Sequence, residues 1–373
     1  MNPYWLEDEP VPRPSPRHAG SVDVAIVGAG VTGCTAALRL ARAGLRVRIY
    51  DARGVAEGAS GRNGGFALRG TAARYDVARE TYGRAEARDL WRWTERALYR
   101  IDALGGDALR RTGSYRLAAD EEERGQIRAE YDALREDGFD AEWLDDLPDR
   151  LAVRFHGAIL HPEDGALQPA RFVRRLAALA AEAGAQVCEH ERVDDVAALD
   201  ADEVVVATDG YRHGFVPELA DAIWPARGQV IVSAPLDRVM YDRPHYSRQG
   251  FDYWQQLPDR RLLLGGFRDV SILDELTDVE ETTSTIQASL ERFLGELTGV
   301  APRVTHRWAG IFGLTQDMLP LVGRVPGREH LWIAGGYSGH GNVLGFACGE
   351  LVAGAILGER SRPLALFDPA RFA

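Results

Sequence analysis

Gly28-Ala29-Gly30-Val31-Thr32-Gly33 is a G-x-G-x-x-G run, and Asp51 stands 18 residues beyond its last glycine. Those residue types at that spacing can hold a dinucleotide. Gly28 permits a tight turn, Gly30 lets a pyrophosphate approach the amides of a helix N-terminus, and Gly33 lets that helix lie close to a strand, while the Asp51 carboxylate accepts hydrogen bonds from a ribose. Val31, Thr32, Ala52 and Arg53 flank these positions and share the candidate binding surface. Two more glycine-rich runs follow. Gly58-Ala59-Ser60-Gly61-Arg62-Asn63-Gly64-Gly65 offers Ser60, Arg62 and Asn63 as donors between Gly61, Gly64 and Gly65, which suits a second backbone approach to a ligand; by composition alone it also reads as a surface loop. In Gly335-Gly336-Tyr337-Ser338-Gly339-His340-Gly341-Asn342, the residues Gly336, Tyr337, Gly339, His340, Gly341 and Asn342 lead into a helix whose N-terminal partial charge stabilises an anion, whether a phosphate or a reduced flavin ring. The fingerprint alone does not separate FAD from NAD, since both present the same ADP moiety.

Turn glycines and a surface aspartate would look the same without the right surroundings, so the elements around them decide. Val24-Ala25-Ile26-Val27 reads as a buried strand, Val31 to Ala43 as a helix ended by Gly44, and Val47 to Tyr50 as a second strand, which is a βαβ opening with the acid at its end. The spacing of apolar residues predicts helices over Arg84 to Ala103 and Asp120 to Glu136 with a strand at Ser114 to Ala118 between them, all inserted into the nucleotide-binding part. Gln168 to Phe172 starts a further helix, and Asp202 to Ala207 returns to the parallel sheet. Arg227 to Ser233, Phe251 to Leu257, Arg261 to Phe267 and Arg303 to Ala309 form an antiparallel sheet, with a helix near Glu280 to Glu296 joining the last two. Leu331 to Ala334 is a buried strand feeding a helix from about Val343. Residues 1 to 20 carry five prolines and read as an extended arm pinned by Tyr4 and Trp5.

Composition narrows the function. The chain has 373 residues and a net charge of −12, which repels a nucleic-acid backbone. All 44 basic residues are arginine, so Schiff-base and pyridoxal-phosphate chemistry have no lysine to use. Cys34, Cys188 and Cys348 show no C-x-x-C spacing, which argues against a disulfide framework or a thiolate metal site. The longest apolar stretch, Val343 to Leu357, is broken by Glu350, and no basic-then-apolar leader is evident, so the expected location is cytoplasmic, away from a membrane.

Taken together, Trp5, the Gly28 to Gly33 run, Asp51, the Gly58 to Gly65 run, Arg227-Gly228-Gln229, Leu262-Leu263-Leu264-Gly265-Gly266, Trp308, Gly336 to Gly341 and Phe367-Asp368-Pro369-Ala370-Arg371-Phe372 resemble the D-amino-acid oxidase and glycine oxidase superfamily of FAD proteins, in particular its gamma-glutamylputrescine oxidoreductase branch. The similarity spans nearly the whole chain. It implies an α/β plus α+β architecture: a Rossmann-like FAD domain on a parallel sheet, built from 21–80, 151–225 and 310–373, interleaved with a smaller substrate domain on an antiparallel sheet, from 81–150 and 226–309, with 1–20 as the arm. It also implies that Val193 gives backbone contacts to the adenine, that Ala207 and Thr208 line the nucleotide, and that Asp209 stands where relatives carry residues tolerant of a left-handed turn. Positions that carry a flavin-linking cysteine or histidine in some relatives correspond to Gly310 and Arg62, so FAD is expected to be non-covalent. The lysine that promotes reaction with oxygen in other relatives is absent, and the one beside substrate carboxylate is Val343.

Phe66, Tyr253, Trp254, Trp308 and Tyr337 are candidate substrate contacts, because an aromatic cage excludes water around an amine, and Tyr253, Tyr337 and His340 are the candidate catalytic groups. The reading is an FAD-dependent oxidation of an amine or amino-acid C–N bond by hydride transfer to flavin N5, giving an imine that hydrolyses, with oxygen or another electron acceptor closing the cycle. A hydroxy-acid or alcohol dehydrogenase, or the flavin subunit of a heteromeric dehydrogenase, is the alternative.

Overall fold

The computed structural model describes residues 3–8, 20–211 and 214–372. The proline-rich stretch of the expected arm lies outside the described residues. Tyr4 and Trp5 are tied to the body, Trp5 donating from Nε1 to the Asn63 carbonyl at 2.7 Å.

Val22–Val27 is buried along nearly its whole length and pairs in parallel with Val47–Tyr50 on one side and Ala201–Val206 on the other. Gln186–Cys188 extends this sheet beyond Val47–Tyr50, and Leu331–Gly335 extends it beyond Ala201–Val206, both parallel; Leu321–Arg324 closes that edge antiparallel. Two-sided burial explains the unalternated apolar runs Val24 to Val27, Val204 to Val206 and Leu331 to Ala334, whereas Val47–Tyr50, nearer the edge, alternates buried with partly buried residues. The helix Val31–Arg42 starts directly after the turn and packs against Pro169–Glu182 and Gly341–Ile356. Gly33 makes the close helix approach possible, since a Cβ there would lie 1.9 Å from the Gly28 carbonyl oxygen. Ile26, Leu40 and Ile49 are fully buried around it, each contributing about 1.5–3 kcal/mol of hydrophobic stabilisation.

The second sheet has eight strands where the sequence pattern shows four, and the strand at Ser114 to Leu117, read apart from them, belongs to it as well. Its order is Val304–Leu314, Trp224–Ser233, Leu262–Gly266, Asp252–Gln256, His245–Ser247, Ser114–Leu117, Ala158–His161 and Glu142–Leu144. Every pairing is antiparallel except that of His245–Ser247 with Ser114–Leu117. The inserted segment therefore joins the sheet edge to edge. Val304–Leu314 runs five residues past the expected end because Gly310 to Leu314 pair with Trp224 to Gly228. The helix expected from Glu280 begins instead at Ser284, since the Thr283 amide is taken by the Gln229 side chain at 2.9 Å. No helix among the described residues is long and apolar enough to cross a membrane.

Candidate active site

The carboxyl ends of Val22–Val27, Ala201–Val206 and Leu331–Gly335 all point toward the second sheet, and a cavity of about 270 Å³ opens there, lined by residues from both sheets. Open α/β sheets bind ligands at this end of their strands. Eight lining residues are glycines, namely Gly30, Gly64, Gly228, Gly250, Gly266, Gly310, Gly339 and Gly341, so backbone forms much of the wall. A flat ring system can lie close against such a wall. The glycine-lined wall and the helix N-terminus beside it fit a flavin dinucleotide.

Asp51 is mostly buried at the end of its strand and accepts from the amides of Ala29 and Arg53, both at 2.8 Å. Desolvation raises its pKa while those two hydrogen bonds oppose the rise. Val193 lies in the loop after Gln186–Cys188, whose His190 and Glu191 amides donate to Arg53 and Asp51 carbonyls at 3.0 and 2.8 Å. That puts Val193 on the Asp51 side of the fingerprint. Ser60 caps the start of the fingerprint helix, accepting from the Val31 amide at 2.9 Å.

Arg53 and Arg62 both reach Glu280, each at 3.1 Å, and the Tyr211 hydroxyl donates to the same carboxylate. Glu280 therefore clamps the loop before the helix Ser284–Thr298 onto the early glycine-rich runs, a contact that sequence spacing does not reveal. Asn63 and Asn342 exchange side-chain hydrogen bonds at 3.1 and 3.0 Å, which joins the second run to the third. Asp209 has a left-handed φ of 50° and accepts from the Gly313 and Gly336 amides at 2.9 and 2.7 Å.

Tyr253 lines the cavity with Phe66 edge-on to it at 5.7 Å, and burial raises its pKa. Its ring lies across Gly265 and against Gly64, where added Cβ atoms would come within 2.2 and 2.6 Å of it. Tyr337 also lines the cavity and its hydroxyl shares a hydrogen bond of 2.7 Å with Thr32. Two expected substrate contacts are placed elsewhere. Trp254 follows Tyr253 on the same strand, so it points to the opposite face, fully buried among Phe155, Tyr241, His245 and Phe293. Trp308 is buried beneath the second glycine run and donates to the Arg62 carbonyl at 2.8 Å, so it supports the wall and does not line it. Arg116, Tyr246, Gln249, Phe251, Arg268 and Phe312 line the cavity without having been singled out in the sequence.

His340 caps the helix Gly341–Ile356, lines the cavity, and has a buried Nδ1 with no partner among the described residues. Burial, then the nearby Arg116 charge, lowers its pKa to about 4. The imidazole is thus neutral at working pH. A histidine with a lowered folded pKa favours the folded state above pH 6.5, and this stabilisation is lost as pH falls from 6.5 through about 4. We expect the pH–rate profile between 5 and 8 to keep its shape when His340→Asn is made; an inflection near pH 6.5 that vanished in the variant would show that His340 titrates during turnover.

A family model described as FAD dependent oxidoreductase matches residues 23–355. Gamma-glutamylputrescine oxidoreductase of Escherichia coli (strain K12) is 28% identical over an alignment covering 91% of this chain and 84% of that protein. Glycine oxidase of Geobacillus kaustophilus is also 28% identical, with 94% of this chain and 96% of that protein covered. The crystal structure of that glycine oxidase has a TM-score of 0.77 at 24% identity over 95% of this chain and 99% of the other. The crystal structure of L-proline dehydrogenase from P. horikoshii gives 0.75 at 20% identity over 95% and 98%.

Proposed function

The chain belongs to the family of FAD-dependent oxidoreductases whose model spans it, and on that premise we propose that it oxidises the C–N bond of an amine or amino acid to an imine that water then hydrolyses. FAD, when bound, supplies the acceptor for the hydride that leaves the carbon beside nitrogen. The residues of the chain bind, orient and exclude water. The first glycine run and Asp51 would hold the ADP half, with Ala52, Arg53 and Val193 beside it. The second and third runs, Ala207 and Thr208 would hold the rest, and the amides at the start of Gly341–Ile356 would favour negative charge near them. Phe66, Tyr253 and Tyr337 would keep the amine desolvated and oriented.

The observation that carries the amine reading over an alcohol or hydroxy acid is the state of His340. An alcohol must lose its hydroxyl proton to a base as the hydride leaves, whereas an uncharged amine needs no such step. The cavity's histidine, its pKa lowered to about 4 by burial, is a weak base for a hydroxyl proton and carries no carboxylate partner on its buried Nδ1 among the described residues. We place the protein in the cytoplasm, with a small-molecule amine as substrate and oxygen or another oxidant as acceptor.

The test is an anaerobic titration of the yellow protein with primary, secondary and acylated amines, amino acids and hydroxy acids. Bleaching of the band near roughly 450 nm by an amine supports the reading, and bleaching by hydroxy acids alone overturns it. Acid precipitation should release the flavin into the supernatant, because Gly310 and Arg62 offer no linking atom; flavin left on the pellet would refute non-covalent binding.

A further inference from the structure

We propose that Asp209 is a positioning residue that holds a fixed negative charge at the wall of the flavin site, and that this charge lowers the reduction potential of bound FAD. The inference needs FAD binding and holds whichever substrate is oxidised. Asp209 follows the strand Ala201–Val206 with a left-handed φ of 50° and lines the cavity. Its Oδ2 accepts from the Gly313 amide at 2.9 Å and its Oδ1 from the Gly336 amide at 2.7 Å, and the amides of Gly210 and Tyr337 donate to the same carboxylate. One side chain thereby joins the end of Val304–Leu314 to the start of the third glycine-rich run. The approach is close, since a Cβ added to Gly313 would lie 2.7 Å from Oδ1 and one added to Gly210 would lie 2.5 Å from the Phe312 carbonyl carbon.

All four of these partners are backbone N–H groups. A protonated acid would have to turn its hydroxyl against them, so the donors hold the group ionised, opposing the rise in pKa that burial causes. No arginine or histidine pairs with Asp209 among the described residues. Buried charges are ordinarily paired, and an exception at a cavity wall points to a use for the charge. Its field reaches the neighbouring wall. Burial, then the Cys348 thiol and the Asp209 carboxylate, raises the Tyr337 pKa, and burial followed by Asp209 raises that of Cys348. A flavin that takes up two electrons and one proton gains one negative charge. The amides at the start of Gly341–Ile356 favour that charge, while Asp209, bonded to the beginning of the same run, opposes it in surroundings where screening is weak. The lowered potential makes reduced flavin a readier donor to its acceptor.

The test measures the midpoint potential of bound FAD in the wild type, Asp209→Asn, Asp209→Gly and Asp209→Glu, by reduction with xanthine and xanthine oxidase against reference dyes, so that no amine takes part. Asparagine and glycine both accept the left-handed turn, and both remove the charge. In each, the reduced-to-oxidised ratio at a fixed dye potential should rise at least about tenfold, which is about 30 mV for a two-electron couple. Asp209→Glu keeps the charge while disturbing the fit, and its potential should stay nearer to wild type than that of either neutral variant. FAD content and Tm report the positioning role separately, and both should fall further in Asp209→Gly, which loses every acceptor, than in Asp209→Asn, which keeps one. An unchanged or lowered potential in the neutral variants, or a shift in Asp209→Glu as large as theirs, would overturn the proposal. FAD lost from both neutral variants would overturn it too, by leaving the carboxylate as a structural tie alone. Because the reductant is not an amine, a protein that oxidises no amine would sink the amine reading and leave this result standing.

Discussion

Gly30→Val is expected to give a folded protein that no longer retains FAD. Gly30 caps the fingerprint helix with φ −84° and ψ −172°, an extended conformation open to valine. Its added Cβ would meet only the Ser60 side chain, with Oγ at 3.0 Å, and a hydroxyl rotor can yield. Losing a favoured N-cap residue costs about 1 kcal/mol. The isopropyl group would stand in front of the amides at the start of Val31–Arg42, where a pyrophosphate would otherwise approach. Two charge-assisted hydrogen bonds lost there, at about 1.5–3 kcal/mol each, weaken FAD binding by at least about 100-fold. The flavin-to-protein absorbance ratio after gel filtration, and the melting temperature of the FAD-free proteins, separate binding from folding. Gly33→Val is the contrasting control, because its Cβ would collide with the Gly28 carbonyl and force helix from strand. A Gly30→Val protein with full flavin content would sink the assigned pyrophosphate position.

The contrast between those two glycines shows what a sequence carries. The first and third glycine-rich runs are each a local strand, turn and helix start, and the second is a compact loop around the 3-10 turn Ala59–Gly61, so their residues speak for themselves. The substrate side depends on distant partners. Tyr246 and Arg116 come to the wall because His245–Ser247 pairs in parallel with Ser114–Leu117 across about 130 residues of chain. A three-residue strand is too short for its alternation to register. Tyr253 and Trp254 are adjacent aromatics of which one must face the cavity and the other the core; the distant partners packed on the Trp254 face, Phe155, Tyr241, His245 and Phe293 of the helix Ser284–Thr298, decide which. Arg268 was hidden in the same way. A charged residue after a strand reads as solvent-facing, and nothing in its own neighbourhood says that Asp269 and Glu275 are committed to other arginines.

Those commitments lead to the second large effect. Glu275→Gln is expected to lower stability by about 3–5 kcal/mol, because it leaves Arg227 as a buried charge without a counter-ion. The two side chains are 1% and 6% exposed. Arg227 donates to both Glu275 oxygens at 2.8 and 2.9 Å and to the Asp274 and Val279 carbonyls at 3.1 and 3.2 Å, while Gln229 donates to Glu275 at 3.0 Å. This knot fastens residues 268–283 to the strand Trp224–Ser233, and that segment carries both Arg268 and the Glu280 that meets Arg53 and Arg62. Weakening it should therefore lower FAD retention as well as stability. The measurement is the urea midpoint of Glu275→Gln, Arg227→Met and the double variant Arg227→Met with Glu275→Leu. Removing both charges should recover much of what either single change loses, since apolar groups of similar size need no counter-ion. Against a typical total of about 5–15 kcal/mol, the single changes move the midpoint far outside error. If instead the midpoint held and only amide exchange over 268–283 quickened, the segment would open by itself, and the knot would be a local latch over the cavity outside the cooperative fold.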